Sequence, residues 1–256
     1  MRSITRAFSI LAFLLLLVVS LSSIVNIYEK RNKISLFLIE TFAQNPSHNI
    51  DDLDTYWAKE ILNGGYILHF RHAERDKWID VQMYDALESK LHNNGLNESR
   101  YAENDYFSRA VCLNDRGKIQ AKAIGESLKF IELPIGTVHS SVSCRARQTA
   151  ELAFGGYDEQ HFILMHKGPY NESEDERVEK LKNLYSNFAE IKGKNTIVSA
   201  HNSVISCKMF INQRCPTRGL SLEEGGFYVL KNTEDGLLFE HEFHNFNHFN
   251  RVFYER

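Results

Sequence analysis

The first hydrophobic pattern along the chain is a nearly unbroken apolar run from Ala7 to Val25, preceded by Arg2 and Arg6 and followed by Glu29, Lys30, Arg31 and Lys33. It is about as long as a helix needs to cross a hydrocarbon core. Residues 1–33 are therefore expected to be an N-terminal membrane anchor, or else a cleaved signal segment, with Ser20, Ser22 and Ser23 as small residues near a processing site. Residues 34–63 are expected to form a stalk and a helix leading into the domain, with Leu53, Trp57 and Ile61 on one face and Gly64-Gly65 as the stop. The domain proper is expected over 64–256.

From there the periodicity alternates. Short apolar runs at 66–70, 137–141, 162–165 and 195–200 read as strands, and helical patterns at 115–130, 145–154, 173–191 and 203–211 fall between or after them. In the helix at 115–130, Ile119, Ala123 and Leu128 with Ile131 are expected to supply the apolar stripe. Two further strands, 227–230 and 237–241, flank a polar turn at 232–236 and read as a hairpin. Alternating strands and helices predict an α/β layer: a mainly parallel sheet, helices on both faces, and an antiparallel edge. The segment 76–110 is polar and irregular, and its length suits a lid over a site.

Composition narrows the function. The chain has 256 residues, 43% hydrophobic and 25% charged, which excludes wholesale disorder and a small disulfide scaffold. Thirty Lys+Arg against 33 Asp+Glu give a net charge of -3, so no basic field exists to gather nucleic acid. Four cysteines (Cys112, Cys144, Cys207, Cys215) show no C-x-x-C spacing, which leaves either two disulfides or four buried thiols.

In open α/β sheets, ligands bind beyond the carboxyl ends of the strands. The residues at those ends are Arg71-His72-Ala73-Glu74-Arg75, Ser143-Cys144-Arg145-Ala146-Arg147 and His201-Asn202. They would bring two imidazoles and several guanidinium forks to one crevice, a donor-rich cup suited to phosphoryl oxygens.

These residues carry a resemblance. Phe70-Arg71-His72-Ala73-Glu74-Arg75 resembles the opening R-H motif of the histidine phosphatase superfamily, in its phosphoglycerate mutase-like branch. The resemblance continues through Leu113-Asn114-Asp115-Arg116-Gly117-Lys118-Ile119-Gln120-Ala121, then Ser140-Ser141-Val142-Ser143-Cys144-Arg145-Ala146-Arg147-Gln148-Thr149, then Val198-Ser199-Ala200-His201. Small exported phosphatases similar to lipopolysaccharide core heptose phosphatases are the nearest subgroup by the R-H-A-E-R form.

The resemblance implies a three-layer phosphoglycerate mutase-like fold and a phosphomonoester hydrolase. His72 would be the nucleophile, forming a phosphohistidine, and Arg71, Arg75 and Arg145 would hold the phosphate with His201 as a further donor. No metal and no cofactor are implied, because the arginines supply the positive charge. Glu172 or Glu174 is the expected general acid for the leaving alcohol, with Glu74 a further carboxylate in reach of the motif.

Val142 replaces the proline of the family's S-S-P, and Asn202 replaces the aspartate of the H-D pair found in larger acid phosphatases. Arg75 stands where mutases carry a hydroxyl residue, which favours hydrolysis over transfer. A Cys112–Cys144 disulfide would brace the pocket, and Cys207 and Cys215 would pair across a short loop. Arg147 is expected to be a surface or salt-bridging residue, and His241, His244 and His248 form no designed metal site, since strand alternation divides them between faces.

The substrate implied is a phosphorylated small molecule or glycan, with membrane contact through the N-terminus and an extracytoplasmic catalytic domain. The alternatives are a catalytically silent phospho-ligand binding module and a phosphotransferase or mutase of the same fold.

Overall fold

The computed structural model describes residues 50–76, 111–165, 172–189, 191–212, 214–215 and 222–254. The expected anchor, the stalk before residue 50 and the expected lid lie outside the described residues. Among the described residues no helix is long and apolar enough to cross a membrane.

The compact unit begins at Ile50. Helix α1 (Asp52–Glu60) is opened by a capping box in which Asp51 accepts from the Asp54 amide and Asp54 accepts from that of Asp51. Trp57, Ala58 and Ile61 from this stretch are buried in the core, whereas Leu53 faces solvent. The leading helix thus packs into the same core as the sheet.

Six strands form one sheet in the order β3-β2-β4-β1-β5-β6. They are β1 (Ile67–Arg71), β2 (Ile135–Ser141), β3 (Glu159–His161), β4 (Asn195–Ala200), β5 (Phe227–Thr233) and β6 (Gly236–Phe243). The first four run parallel, and β5 and β6 close the sheet as an antiparallel hairpin against β1.

Pleat alternation assigns the two faces. Leu68, Phe70, Ile197, Phe227 and Val229 face a core shared with α1, α2 (Asp115–Phe130), α3 (Cys144–Phe154) and α5 (Phe246–Tyr254). Ile67, Val198, Ala200, Tyr228 and Leu230 face a second core completed by Val178, Leu181 and Tyr185 of α4 (Glu174–Ser186). The architecture is therefore three-layer α/β with helices on both faces.

Several local expectations are corrected. The apolar run at 162–165 is a 3-10 turn after a shorter β3, not a strand. The helix expected at 203–211 is two separate 3-10 turns, the second opened by the Ser206 side chain accepting from the Lys208 amide. In α2 the buried positions are Gly117, Ala121, Ile124 and Leu128, and Ile119 is 69% exposed. The chain past Phe243 turns helical as α5, so His241 and His248 converge on Asp54 at 2.9 and 3.0 Å.

Candidate active site

Adjacent parallel strands β2, β4 and β1 end level with one another, since Arg71 pairs with Ala200 and Ser140 with Ser199. Their exits carry Arg71-His72, Ser143-Cys144-Arg145 and His201. The His72 amide continues the ladder by donating to the Ala200 carbonyl at 3.0 Å. His72 and His201 are both buried, with ring centroids 5.2 Å apart at 67°. Distant segments thus converge as the strand-end argument requires.

The His72 ring is oriented from behind. Its Nδ1 lies 2.7 Å from the carbonyl oxygen of Ala73, which can only accept, so Nδ1 carries the proton and Nε2 keeps its lone pair. Burial drives its pKa well below the ordinary 6.5, and the Arg145, Arg71 and Arg75 charges push the same way against the Ala73 bond. The imidazole is therefore neutral at physiological pH.

His201 is positioned through its backbone and its ring. Fully buried His69 donates Nε2–H to the His201 carbonyl at 3.1 Å and accepts the Tyr185 hydroxyl at Nδ1, 2.6 Å away. Burial lowers the pKa of His69 to about 4 and raises that of Tyr185 well above 10.0, which keeps both in these roles. The Ser143 hydroxyl lies 3.1 Å from Nε2 of His201. Ser143 precedes α3 without capping it, so its side chain serves the histidine instead.

The arginines differ in environment. Arg145 is fully buried at the start of α3, where the positive end of the helix adds to its charge. Arg71 donates Nη2–H to Glu224 at 2.8 Å and Nη1–H to the Leu222 carbonyl. Arg75 is half-buried and donates to the Asp76 carbonyl at 2.7 Å. Arg147, expected to be a surface or salt-bridging residue, is buried rather than at the surface and donates Nε–H to the Val142 carbonyl.

The four motifs lock onto one another. Thr149 accepts from the Ala73 amide at 2.9 Å and donates to the Arg145 carbonyl at 2.8 Å, which ties α3 to the loop after His72. Gln148 accepts from the Leu113 amide at 2.9 Å. Gln120 accepts from the Glu74 amide at 2.9 Å and donates to the Glu224 carbonyl at 2.7 Å. Gly117 lets α2 approach this loop: a Cβ there would stand 1.9 Å from the Glu74 carbonyl oxygen.

The expected acids each have a cationic neighbour. Glu172 pairs with Lys180, and Glu174 is exposed at the start of α4 with Lys208 3.9 Å away. Glu74 pairs with Arg116 and accepts from Asn114. Cys112 is joined to Cys144, next to Arg145, and Cys207 to Cys215. His69, Ser143 and Glu224 were missing from the sequence-derived set. Only the placement of Ser143 just past a strand end offered a signal for any of them.

Residues 67–188 match the family model of the histidine phosphatase superfamily (branch 1). This part of the chain belongs to that superfamily. Its R-H motif and arginine-bearing α3 both fall within the match. Comparison with curated proteins gives no match.

Among solved structures, the protein histidine phosphatase SixA complexed with tungstate is similar at 14% identity and TM-score 0.44, covering 69% of this chain and 95% of its own. Phosphoserine phosphatase from Entamoeba histolytica, in complex with 3-phosphoglyceric acid, is similar at 12% identity and TM-score 0.44, covering 69% and 95%. YhfR of Bacillus stearothermophilus is similar at 15% identity and TM-score 0.43, covering 72% and 98%. None of these similarities is high enough to transfer an activity.

Proposed function

We propose that the protein is a phosphomonoester hydrolase that works through a phosphohistidine on Nε2 of His72. The observation that carries this reading is the Nδ1–H bond from His72 to the Ala73 carbonyl, which leaves a neutral ring with its nucleophilic nitrogen free beside Arg145 and His201. The Nε2 lone pair forms the N–P bond as the ester P–O bond breaks, and the departing oxygen takes a proton. Water then attacks phosphorus, the N–P bond breaks, and inorganic phosphate leaves. Splitting one displacement into two easier ones is the gain from covalent catalysis.

Charge accumulates on the equatorial oxygens in the transition state, where the guanidinium of Arg145 and the α3 amino end act. Arg71 and Arg75 extend the donor set, with Arg71 held in direction by Glu224. These side chains supply the positive charge that a metal ion supplies in other phosphoryl-transfer sites, so the reaction runs without one. Glu172 and Glu174 have lysine neighbours, so the proton for the departing oxygen comes from solvent.

Two disulfides suit an oxidising compartment, and with the apolar N-terminus they support an exported, membrane-proximal enzyme acting on a phosphorylated small molecule or glycan. Turnover of p-nitrophenyl phosphate by the purified protein tests the activity. Saturable phosphate binding with no release of nitrophenol would favour the silent binding module instead.

A further inference from the structure

The carboxyl ends of the strands do not exhaust the chemistry of this sheet. At its parallel edge the register pairs His139 of β2 with Glu159 of β3, and Ser141 with His161. Paired residues share a face, as do residues two apart on one strand. His139, Glu159 and His161 therefore all project from the same side, and their donor atoms meet. Nδ1 of His139 lies 3.0 Å from Nε2 of His161, and the Glu159 carboxylate oxygen Oε2 lies 3.9 and 3.5 Å from these two nitrogens.

We propose that His139, Glu159 and His161 form a binding site for a divalent transition-metal ion, with Zn²⁺ the ion its donor set fits best. A point equidistant from the three donor atoms lies about 2.0 Å from each, the length of a Zn–N or Zn–O bond. Two imidazoles and one carboxylate, with no thiolate, suit zinc rather than softer ions, and hard oxygen-seeking ions such as Mg²⁺ and Ca²⁺ are disfavoured. The His139 ring is held in place by Phe188, stacked at 4.2 Å and 23°. His139 is buried, His161 is half-buried and Glu159 is 65% exposed on its side chain, so the site opens to solvent on the carboxylate side and leaves a fourth position for water.

Beta-strand β3 is three residues long and stands at the open edge of the sheet. A metal held by two ligands from β3 and one from β2 would staple that edge to the strand that leads into Ser143 and Arg145. The site is separate in composition from the phosphoryl pocket and does not depend on the hydrolase reading.

Zn²⁺ titration of the chelator-treated full chain by calorimetry tests this, with Co²⁺ absorption as a report of coordination geometry. The expected result is one saturable site, a rise in thermal midpoint on adding Zn²⁺, and at least about tenfold weaker binding in Glu159→Gln and His161→Gln. Glu159 is exposed, so its variant folds and answers the question even if the His161 variant does not. His72→Ala, which removes an imidazole from the other histidine cluster, is expected to leave Zn²⁺ affinity unchanged. Absence of saturable binding, affinity unaffected by Glu159→Gln, or affinity lost in His72→Ala would each overturn the assignment.

Discussion

The Nδ1 proton of His72 is committed to the Ala73 carbonyl oxygen, one residue along the chain and 2.7 Å away. Because the backbone of the same turn holds the ring, Nε2 is aimed without help from any carboxylate. The neighbouring arginines then serve two ends: they keep the ring unprotonated, and in the proposed mechanism they hold the phosphoryl oxygens.

The second effect has a sign that can be measured. Burial and the charges of Arg145 and Arg71 lower the His72 pKa well below 6.5. NMR of ring-labelled protein should show His72 neutral at pH 6, and Arg145→Gln should move its titration upward by removing one repelling charge. Titration of the wild-type residue near 6.5 would contradict the arrangement.

Stability should depend on pH through His69. Its folded pKa of about 4 lies below the ordinary 6.5, so between those values the unfolded chain binds the proton and the folded protein does not. Stability is then complete above about pH 6.5 and falls by about 3 kcal/mol as pH drops to 4 from this group alone. His72 acts in the same direction. Urea unfolding at several pH values should show the fall, and His69→Gln should flatten it; an unchanged slope in the variant would count against the buried neutral ring.

Gly117 and Gln120 separate packing from positioning. Gly117→Ala drives a methyl into the Glu74 carbonyl and should cost about 2 kcal/mol or more. Gln120→Ala leaves the Glu74 amide and Glu224 carbonyl without their shared partner. It should lower kcat/KM by roughly 10- to 100-fold by loosening the turn that carries His72. Steady-state kinetics beside chemical denaturation distinguishes the two, and a Gln120 variant with wild-type kcat/KM would remove its positioning role.

The Cys112–Cys144 disulfide closes a sequence separation of 32 next to Arg145. Loop-closure entropy gives it about 3.7 kcal/mol of stabilisation. Cys112→Ser should lower the guanidinium midpoint accordingly and reduce activity, whereas equal midpoints with and without reductant in the wild type would show that the bond does not brace the fold.

Much of this site was legible in the sequence because its main residues sit within a few positions of strand ends, where periodicity and motif coincide. Arg71, His72, Arg145 and His201 needed only the strand order to be brought together. His69 and Glu224 were not legible, since their roles come from Tyr185 and Arg71, 116 and 153 residues away. The histidines near the C-terminus were read as strand residues. The turn into α5 instead aligns His241 and His248 on Asp54. Burial alone would raise the Asp54 pKa, and the two histidine bonds overcome that and lower it. The run Phe162–Leu164 shows the limit of short apolar segments, whose periodicity cannot separate a strand from a 3-10 turn. The sheet-edge cluster of His139, Glu159 and His161 needed the β2–β3 register, which no local pattern encodes.

Rapid quench of the purified protein with a ³²P-labelled phosphomonoester tests the covalent step most directly. Label should appear within a single turnover on His72 as an acid-labile, base-stable phosphoprotein, and His72→Ala should carry none. Turnover of the ester with no labelled protein at any time, or equal labelling of the His72→Ala variant, would contradict the account.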